Sequence, residues 1–298
     1  ARGGIHDQIG GGFSRYSTDA VWLVPHFEKM LYDNALLILA YLKAYQITGR
    51  EQYADTVRRT ADYVLRELTD GGFFCGQDAD SDGIEGKYYV FSPEEVKSVL
   101  GEQDGAEFCR LYGITQSGNF EGKSIPNRIG QSEPGWSHND ARMKKLYEYR
   151  FGRTALHKDD KILLSWNGWM IMALARAGQI LEESSYLDAA IQAYRFIRDN
   201  MTDETDALYL RYRDGEAAHA GQLDDYATFA LAALELYSVT FDPEYLQEAI
   251  QRAKQMTELF EDREEGGYFM TAANAELLIT RPKETYDGAI PSGNSVAA

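Results

Sequence analysis

Asn34-Ala-Leu-Leu-Ile-Leu-Ala-Tyr-Leu-Lys-Ala-Tyr-Gln46 holds a single charge, Lys43, and reads apolar on every side of a helix. The segment that follows, Glu51–Leu68, is apolar on one side only. The same order recurs twice. Asn167-Gly-Trp-Met-Ile-Met-Ala-Leu-Ala-Arg-Ala177, charged only at Arg176, precedes Tyr186–Met201, and Tyr226–Val239, charged only at Glu235, precedes Pro243–Phe260. A helix that is apolar all round must be covered on all faces, whereas its one-sided neighbour can face water. Repeated pairing of this kind implies an all-α fold, a partial (α/α) toroid with inner helices around an axis, outer helices as a jacket, and short β-hairpins at the mouth.

The spacings agree with one repeated unit. Tyr186 and Tyr245, Asn167 and Tyr226, and Tyr209 and Tyr268 are each 59 residues apart, while Asn34 to Asn167 and Tyr53 to Tyr186 are each 133. Matching offsets at independent landmarks imply a unit used at least three times, with an insertion at about 72–157. Residues 1–298 are therefore expected to form a single toroid region. Within the insertion, Gly71-Gly72-Phe73-Phe74 and Lys87–Phe91 read as the arms of one β-hairpin around Asp78–Gly86. Two or three amphipathic helices are expected between Ser92 and Arg153, broken by a polar loop from Thr115 to Ser137. Pro291-Ser-Gly-Asn-Ser-Val-Ala-Ala298 reads as the opening turn of a fourth inner helix, so the chain is expected to be an internal fragment of a longer protein.

Composition narrows the partners. The 298 residues carry a net charge of −17 and a pI near 4.7, which argues against nucleic acid or an anionic membrane, since both require a basic face. The longest apolar run, Ala35–Leu42, is too short to cross a bilayer. Cys75 and Cys109 have no CxxC spacing, which argues against a disulfide framework, thiol-redox chemistry or a zinc site and points to a reducing, cytoplasmic setting. No cofactor and no metal are expected. Asp78-Ala-Asp80-Ser-Asp82-Gly83 matches the first half of a calcium loop, but Tyr89 stands where an EF-hand needs glutamate.

The starts of the inner helices gather polar residues, expected to surround one cavity: His26, Glu28, Asp33, Asn34, Asp159, Asp160, Trp166, Asn167, Asp224, Asp225, Tyr226, Ser292 and Asn294. Asp, Asn and Ser are also what helix N-termini select, through their free backbone N–H groups. As a set, with Trp22 and Tyr286 among them, these residues interleave aromatic planes with carboxylates, a combination suited to sugar rings. Two carboxylates across such a mouth can cleave a glycosidic bond, one donating a proton and the other activating water. Asp33 and Asp225 share one place in the repeat and form the first candidate pair, with Asp224, Asp160 and Glu28 as substitutes. Histidines near the mouth, His26 and His219, offer instead acid–base transfer at the carbon beside a sugar carbonyl.

Long motifs add a resemblance. Gly3-Gly4-Ile5-His6-Asp7-Gln8-Ile9-Gly10-Gly11-Gly12-Phe13, Trp22–Asn34 and Asp78-Ala79-Asp80-Ser81 resemble the YyaL-like thioredoxin-domain-containing family, whose animal members are called spermatogenesis-associated proteins. Asp159–Leu163, Trp166-Asn167-Gly168, Leu223–Ala227 and Asp287–Ser295 continue the match. The resemblance implies an upstream thioredoxin-like domain, which would be a partner in the same protein, and an (α/α)6 toroid similar to six-hairpin glycosidases and N-acylglucosamine 2-epimerases. The leading expectation, from the residues at the mouth together with that fold, is a carbohydrate-active domain, a glycoside hydrolase or sugar epimerase/isomerase acting on a small neutral or amino sugar, with Asp33, Asp224, Asp225, His26 and Glu28 nearest the chemistry. Asn34, Asp78, Asp80, Asp160, Trp166, Asn167, Tyr226, Ser292 and Asn294 are the expected substrate contacts. The rival reading is a non-catalytic sugar- or protein-binding scaffold working with the thioredoxin-like domain. Ser14 and Gln77 depart from the family pattern, which expects histidine and glutamate there.

Overall fold

The computed structural model describes residues 1–131, 140–276 and 279–298; part of the expected Thr115–Ser137 loop lies outside them. Short strands β1 (Tyr16–Ser17), β2 (Pro25–His26) and β3 (Lys29–Met30) lead into α1 (Leu31–Thr48) and α2 (Glu51–Glu67). A long connection follows, with β4 (Thr69–Asp70), β5 (Gly72–Phe73), β6 (Gly76–Gln77), β7 (Asp80–Ser81), β8 (Ile84–Glu85), α3 (Pro93–Leu100), α4 (Glu102–Leu111), α5 (Ala141–Arg153), β9 (Lys158–Asp159) and β10 (Ile162–Leu163). The helical pairing then resumes as α6 (Leu164–Leu181) and α7 (Ser184–Asn200), and after β11 (Tyr209–Arg213) and β12 (Glu216–Ala220) as α8 (Leu223–Thr240) and α9 (Pro243–Phe260). Helix α10 (Gly293–Ala297) ends the described chain.

The three expected inner helices are α1, α6 and α8, each 18 residues long, and each starts three residues before the Asn or Tyr that marks it in sequence. Each also stops in the same way. Gly49, Glu182 and Phe241 take left-handed backbone angles of 65°, 57° and 58°, and their N–H groups return to Tyr45, Gly178 and Tyr237, which closes the last turn with an αL cap. Two of these caps place a non-glycine residue in a conformation that glycine prefers.

The chain divides into two compact units. The first comprises Ala1–Asn34, Ala44–Glu67 and Gly76–Asp159; the second comprises Ala35–Lys43, Leu68–Cys75 and Asp160–Ala298. In the second unit α6 packs on both α7 and α8, and α8 packs on α9 and α10. Residues 167–175 of α6 are all buried, the all-round cover its composition demands. Helices α1 and α8 fall short of that, leaving Ala40 and Leu234 exposed. Close approach is built in at Gly168, where a Cβ would lie 2.9 Å from the Thr228 Cβ and 3.0 Å from its backbone. Arg176 and Glu235, the only charges in the two apolar stretches that mark α6 and α8, pair with each other.

In the first unit β6 is the centre of an antiparallel sheet in the order β3-β6-β9, and Phe27, Tyr88, Tyr89, Val90 and Ile125 form a core cluster. The single hairpin expected over Gly71–Phe91 is replaced by two tight ones, β4-β5 and β7-β8, one in each unit. The Gly71 and Asp82-Gly83 backbones, at φ 75°, 53° and 74°, turn the chain back after two residues in each case. Tyr88–Phe91 is buried at every residue rather than on alternate ones, so it packs as core and does not form a half-exposed strand.

Candidate functional site

Four of the expected substrate contacts share one structural task. Asn34 accepts the Phe13 backbone N–H at 2.7 Å and donates to the Phe13 carbonyl at 3.1 Å and to Met30 at 2.8 Å. Asn167 does the same to Phe73, at 2.8 and 2.9 Å, and to Leu163 at 2.9 Å. Asn294 repeats it on Tyr268, at 2.8 and 2.9 Å, and reaches Glu284 at 2.9 Å. At the equivalent place in α8 the Tyr226 hydroxyl accepts the Leu208 N–H at 3.0 Å. Each clamped residue pairs back across a short loop, and three of them follow a glycine pair: Gly11-Gly12-Phe13, Gly71-Gly72-Phe73 and Gly266-Gly267-Tyr268. A primary amide has one acceptor and two donor hydrogens, so it can satisfy a peptide N–H and C=O together and still bond its own helix. The amides of Asn34 and Asn167 are fully buried.

Asp33 and Asp225 both stand at the third residue of an inner helix, in the first and second unit respectively. Their surroundings differ. Asp225 is buried; its Oδ1 accepts the Ser165 N–H at 3.0 Å and its Oδ2 the Gln222 N–H at 2.8 Å. It ties the start of α6 to the start of α8, and burial pushes its carboxyl up to about 7 against those two donors. Asp33 is only partly buried, and its inward oxygen, Oδ2, has no hydrogen-bond partner among the described residues. Desolvation raises it to about 7, with Glu28 adding to the rise and Arg15 opposing it.

Around Asp33 the first unit gathers a polar cluster. Arg15 pairs with Glu28 at 3.0 Å. The His26 Nδ1 lies 2.9 Å from Glu85 Oε1, while its Nε2 is 3.8 Å from Glu28, beyond hydrogen-bond reach. A proton on Nδ1 shared with Glu85 leaves the Nε2 lone pair free. Tyr16, half exposed and directly opposite His26 in the β1-β2 ladder, stacks on its ring at 5.1 Å between centroids. The turn of that hairpin is held by Asp19, whose carboxylate accepts the N–H groups of Val21, Leu23 and Val24. It displays Trp22, 59 % exposed, with a left-handed backbone. Arg15, Tyr16 and Glu85 complete the cluster although the sequence reading did not select them. Their signal was available: Arg15 and Tyr16 follow the Gly-Gly-Phe motif, and Glu85 sits beside a turn.

The remaining candidates disperse. Asp78 pairs with His157 at 3.2 Å, Asp82 with Lys87 at 2.7 Å and Thr154 at 2.8 Å, and Asp80 opposes Glu85 in the β7-β8 hairpin. The calcium-like run thus sends its carboxylates apart, and no group of three metal-ligating side chains converges among the described residues. In the second unit Asp160 pairs with Arg213 at 2.7 Å, and Ser292 caps α10. Trp166 is half-buried, Tyr286 is exposed, and His219 sits in β12 with a left-handed backbone. Asp224 is raised by desolvation, held down by the Gly293 N–H and raised again by Glu284; a Cβ on Gly293 would fall 2.1 Å from its carboxylate.

One buried network escaped the sequence reading. Asp7 accepts Arg150 through both oxygens at 3.0 and 2.6 Å, Lys29 at 2.9 Å, and the Ile9 and Gly10 N–H groups. All three side chains are almost wholly buried. Arg150 and Lys29 hold Asp7 well below the usual carboxylate range. Burial lowers Lys29 to about 8 as it lies 4.2 Å from the centre of the Tyr63 ring. Arg150 belongs to a helix with no motif, so nothing in sequence pointed to it. Gln77 accepts the Tyr63 hydroxyl at 2.9 Å, and Ser14 lines a cavity of about 10 Å³ with Asp7 and Tyr89.

No family model matches the chain. Human spermatogenesis-associated protein 20 is 34 % identical over an alignment spanning 346 positions, which covers 100 % of this chain and 44 % of the human protein. Among solved structures, cellobiose 2-epimerase from Bacillus thermoamylovorans superposes with a TM-score of 0.57 at 13 % identity, covering 90 % of this chain and 54 % of that one. An unsaturated glucuronyl hydrolase specific for heparin superposes with a TM-score of 0.54 at 10 % identity, covering 98 % and 62 %. These likenesses show the expected fold class: mostly helical, of the six-hairpin glycosidase and cellobiose 2-epimerase type, with short antiparallel strand pairs. The fold is shared by proteins named as epimerases and as glycoside hydrolases. The chain spans under half the length of the human relative. Over the whole of its own length it is a homologue of spermatogenesis-associated protein 20.

Proposed function

We propose that this region is carbohydrate-active and transfers protons at the carbon beside a sugar carbonyl, with His26 as base and Asp33 as acid. The observation that carries the reading is Asp33, a carboxyl with an unpartnered inward oxygen raised to about 7 beside an Arg15–Glu28–His26 chain. A group with that affinity still holds a proton near neutrality and can give it to a carbonyl oxygen. Glu85 orients the imidazole, so Nε2 takes the proton from C2 of an open-chain sugar while Asp33 protonates the oxygen at C1; the enediol formed then collapses as the His26 imidazolium returns a proton to C2 and the C1 hydroxyl gives its proton back to Asp33, which leaves C2 exchanged or inverted. Tyr16 offers a ring beside His26 on which a sugar can lie. Asp225 is placed here as a structural clamp, because both its oxygens already accept backbone N–H groups. Hydrolysis through an Asp33–Asp225 pair is accordingly the weaker form of the reading. The likeness in fold to cellobiose 2-epimerase fits this chemistry by analogy alone.

The test is an incubation of the full-length protein with glucose, mannose and cellobiose in deuterium oxide, followed by proton NMR. Deuterium at C2, absent in His26→Asn and Asp33→Asn, is expected. Release of glucose from cellobiose without exchange at C2 would replace epimerisation by hydrolysis. Neither change with any sugar would leave the scaffold reading, in which this region binds and presents ligands to a thioredoxin-like domain elsewhere in the protein.

A further inference from the structure

The long connection between α2 and α6 builds a cavity of about 270 Å³ inside the first unit. Two two-residue hairpins wall it. In one, Asp82-Gly83 turns β7 into β8 and sets Ile84 and Glu85 on the wall; in the other, Glu121-Gly122 joins Phe120 to Lys123. All four turn residues have left-handed backbones, at φ 53°, 74°, 47° and 80°, the geometry of the tightest hairpin turn. Phe120 and Lys123 face each other across their turn and exchange both backbone hydrogen bonds, so their side chains stand on one face, and both line the cavity. Glu95, at the third residue of α3 and part of its capping box, holds Lys123 at 3.0 Å and Arg153 at 3.0 Å from behind.

The lining has a definite chemistry. Ile84, Val90 and Phe120 supply an apolar surface, and charged side chains of both signs supply donors and acceptors around it. A ligand with one fixed charge meets groups of its own sign there. A neutral polyol ring, apolar on one face and bristling with hydroxyls at its edge, matches both parts. The wall residue Glu85 is also the residue bonded to His26, so the cavity and the Asp33 cluster share a side chain.

We infer that this cavity is an accessory subsite for a second, neutral sugar ring, and that the substrate is at least a disaccharide. The inference rests on the proton-transfer reading of the Asp33 cluster. On this view the connection that interrupts the helical repeat extends the site by one ring.

The test measures binding of cellobiose and glucose to the full-length protein by isothermal titration. Wild type is compared with Ile84→Trp, which fills the cavity from an exposed position, and with Phe120→Leu, which shrinks its floor while keeping the core apolar. Wild type is expected to favour cellobiose, and each variant to lower the cellobiose-to-glucose affinity ratio by at least about tenfold, the worth of a good apolar ring contact. An unchanged ratio in both variants, or no wild-type preference for cellobiose, overturns the subsite while leaving the Asp33 reading standing. If wild type binds neither sugar, the Asp33 reading fails and takes the subsite with it.

Discussion

Asp33 and Asp225 show how one position in a repeat acquires two fates. Both are the third residue of an inner helix, where a carboxylate is welcome to free N–H groups, yet Asp225 spends both oxygens on Ser165 and Gln222 while the inner oxygen of Asp33 has no partner. Truncation should separate them. Asp225→Ala leaves two N–H groups without their acceptor and is expected to cost about 1–3 kcal/mol in urea denaturation, whereas Asp33→Ala should cost nothing measurable. The titration of Asp33 gives a second prediction. Its carboxyl lies at about 7 when folded against an ordinary value of 3.8, so the folded state binds more protons between those values and loses stability as pH rises through that window. The melting temperature of Asp33→Asn should equal that of wild type near pH 4 and exceed it by pH 8; parallel curves would remove the desolvated carboxyl from the account. Where C2 exchange is measurable, its rate should fall as pH rises through about 7, because Asp33 must hold its proton to act as the acid. Both residues were legible as polar helix starts, but not which would be saturated, because the donors to Asp225 come from Ser165, far away in sequence, as well as from nearby Gln222.

At the scale of elements, the clamp between a helix start and a turn residue is the recurring joint, and three of the four clamped residues follow a Gly-Gly pair. Asn34, Asn167 and Asn294 make it with an amide, and Tyr226 with a hydroxyl. Sequence picked out the same four residues by their place at the inner-helix starts and read them as ligand contacts; in the structure their polar atoms complete backbone hydrogen bonding. Asn167→Ala should therefore leave the buried Phe73 N–H and C=O unsatisfied and lower the urea unfolding free energy by roughly 1–3 kcal/mol. Helix–helix contact offers a test of opposite intuition. Alanine is the better helix former by about 1 kcal/mol, but a Cβ at Gly168 would sit 2.9 Å from Thr228 Cβ and 3.0 Å from its backbone. Forcing α6 and α8 apart should outweigh that gain, so Gly168→Ala is expected to lower the melting temperature; a rise would mean that the two helices can part without loss. The helix pairs themselves were readable because a 3.6-residue apolar pattern is local. The hairpins were less so, since Gly71 and Asp82-Gly83 end their turns after two residues and Tyr88–Phe91 is core rather than strand.

Over the whole molecule the two compact units rest on different devices. The second packs the apolar helices α6 and α8 against each other and against the one-sided α7 and α9, so that size and pattern do most of the work. The first carries the buried Asp7–Lys29–Arg150 triad, and removing one partner strands a buried charge. Arg150→Met should cost on the order of 3–5 kcal/mol and raise amide hydrogen exchange in the first unit more than in the second; uniform exchange across both would contradict a local role. By itself the sequence determined the helix pairs, their repeat, the polar residues gathered at the inner-helix starts, and the fold class, because apolar periodicity acts over a few residues of chain. It also placed His26, Glu28 and Asp33 at one helix entrance. Only the tertiary structure decided which polar residues are spent on backbone and which carboxyl is left with an unpartnered oxygen. It alone brought Arg150 to Asp7, and Glu85 to His26, since those pairings join residues 143 and 59 positions apart and depend on how the chain returns on itself.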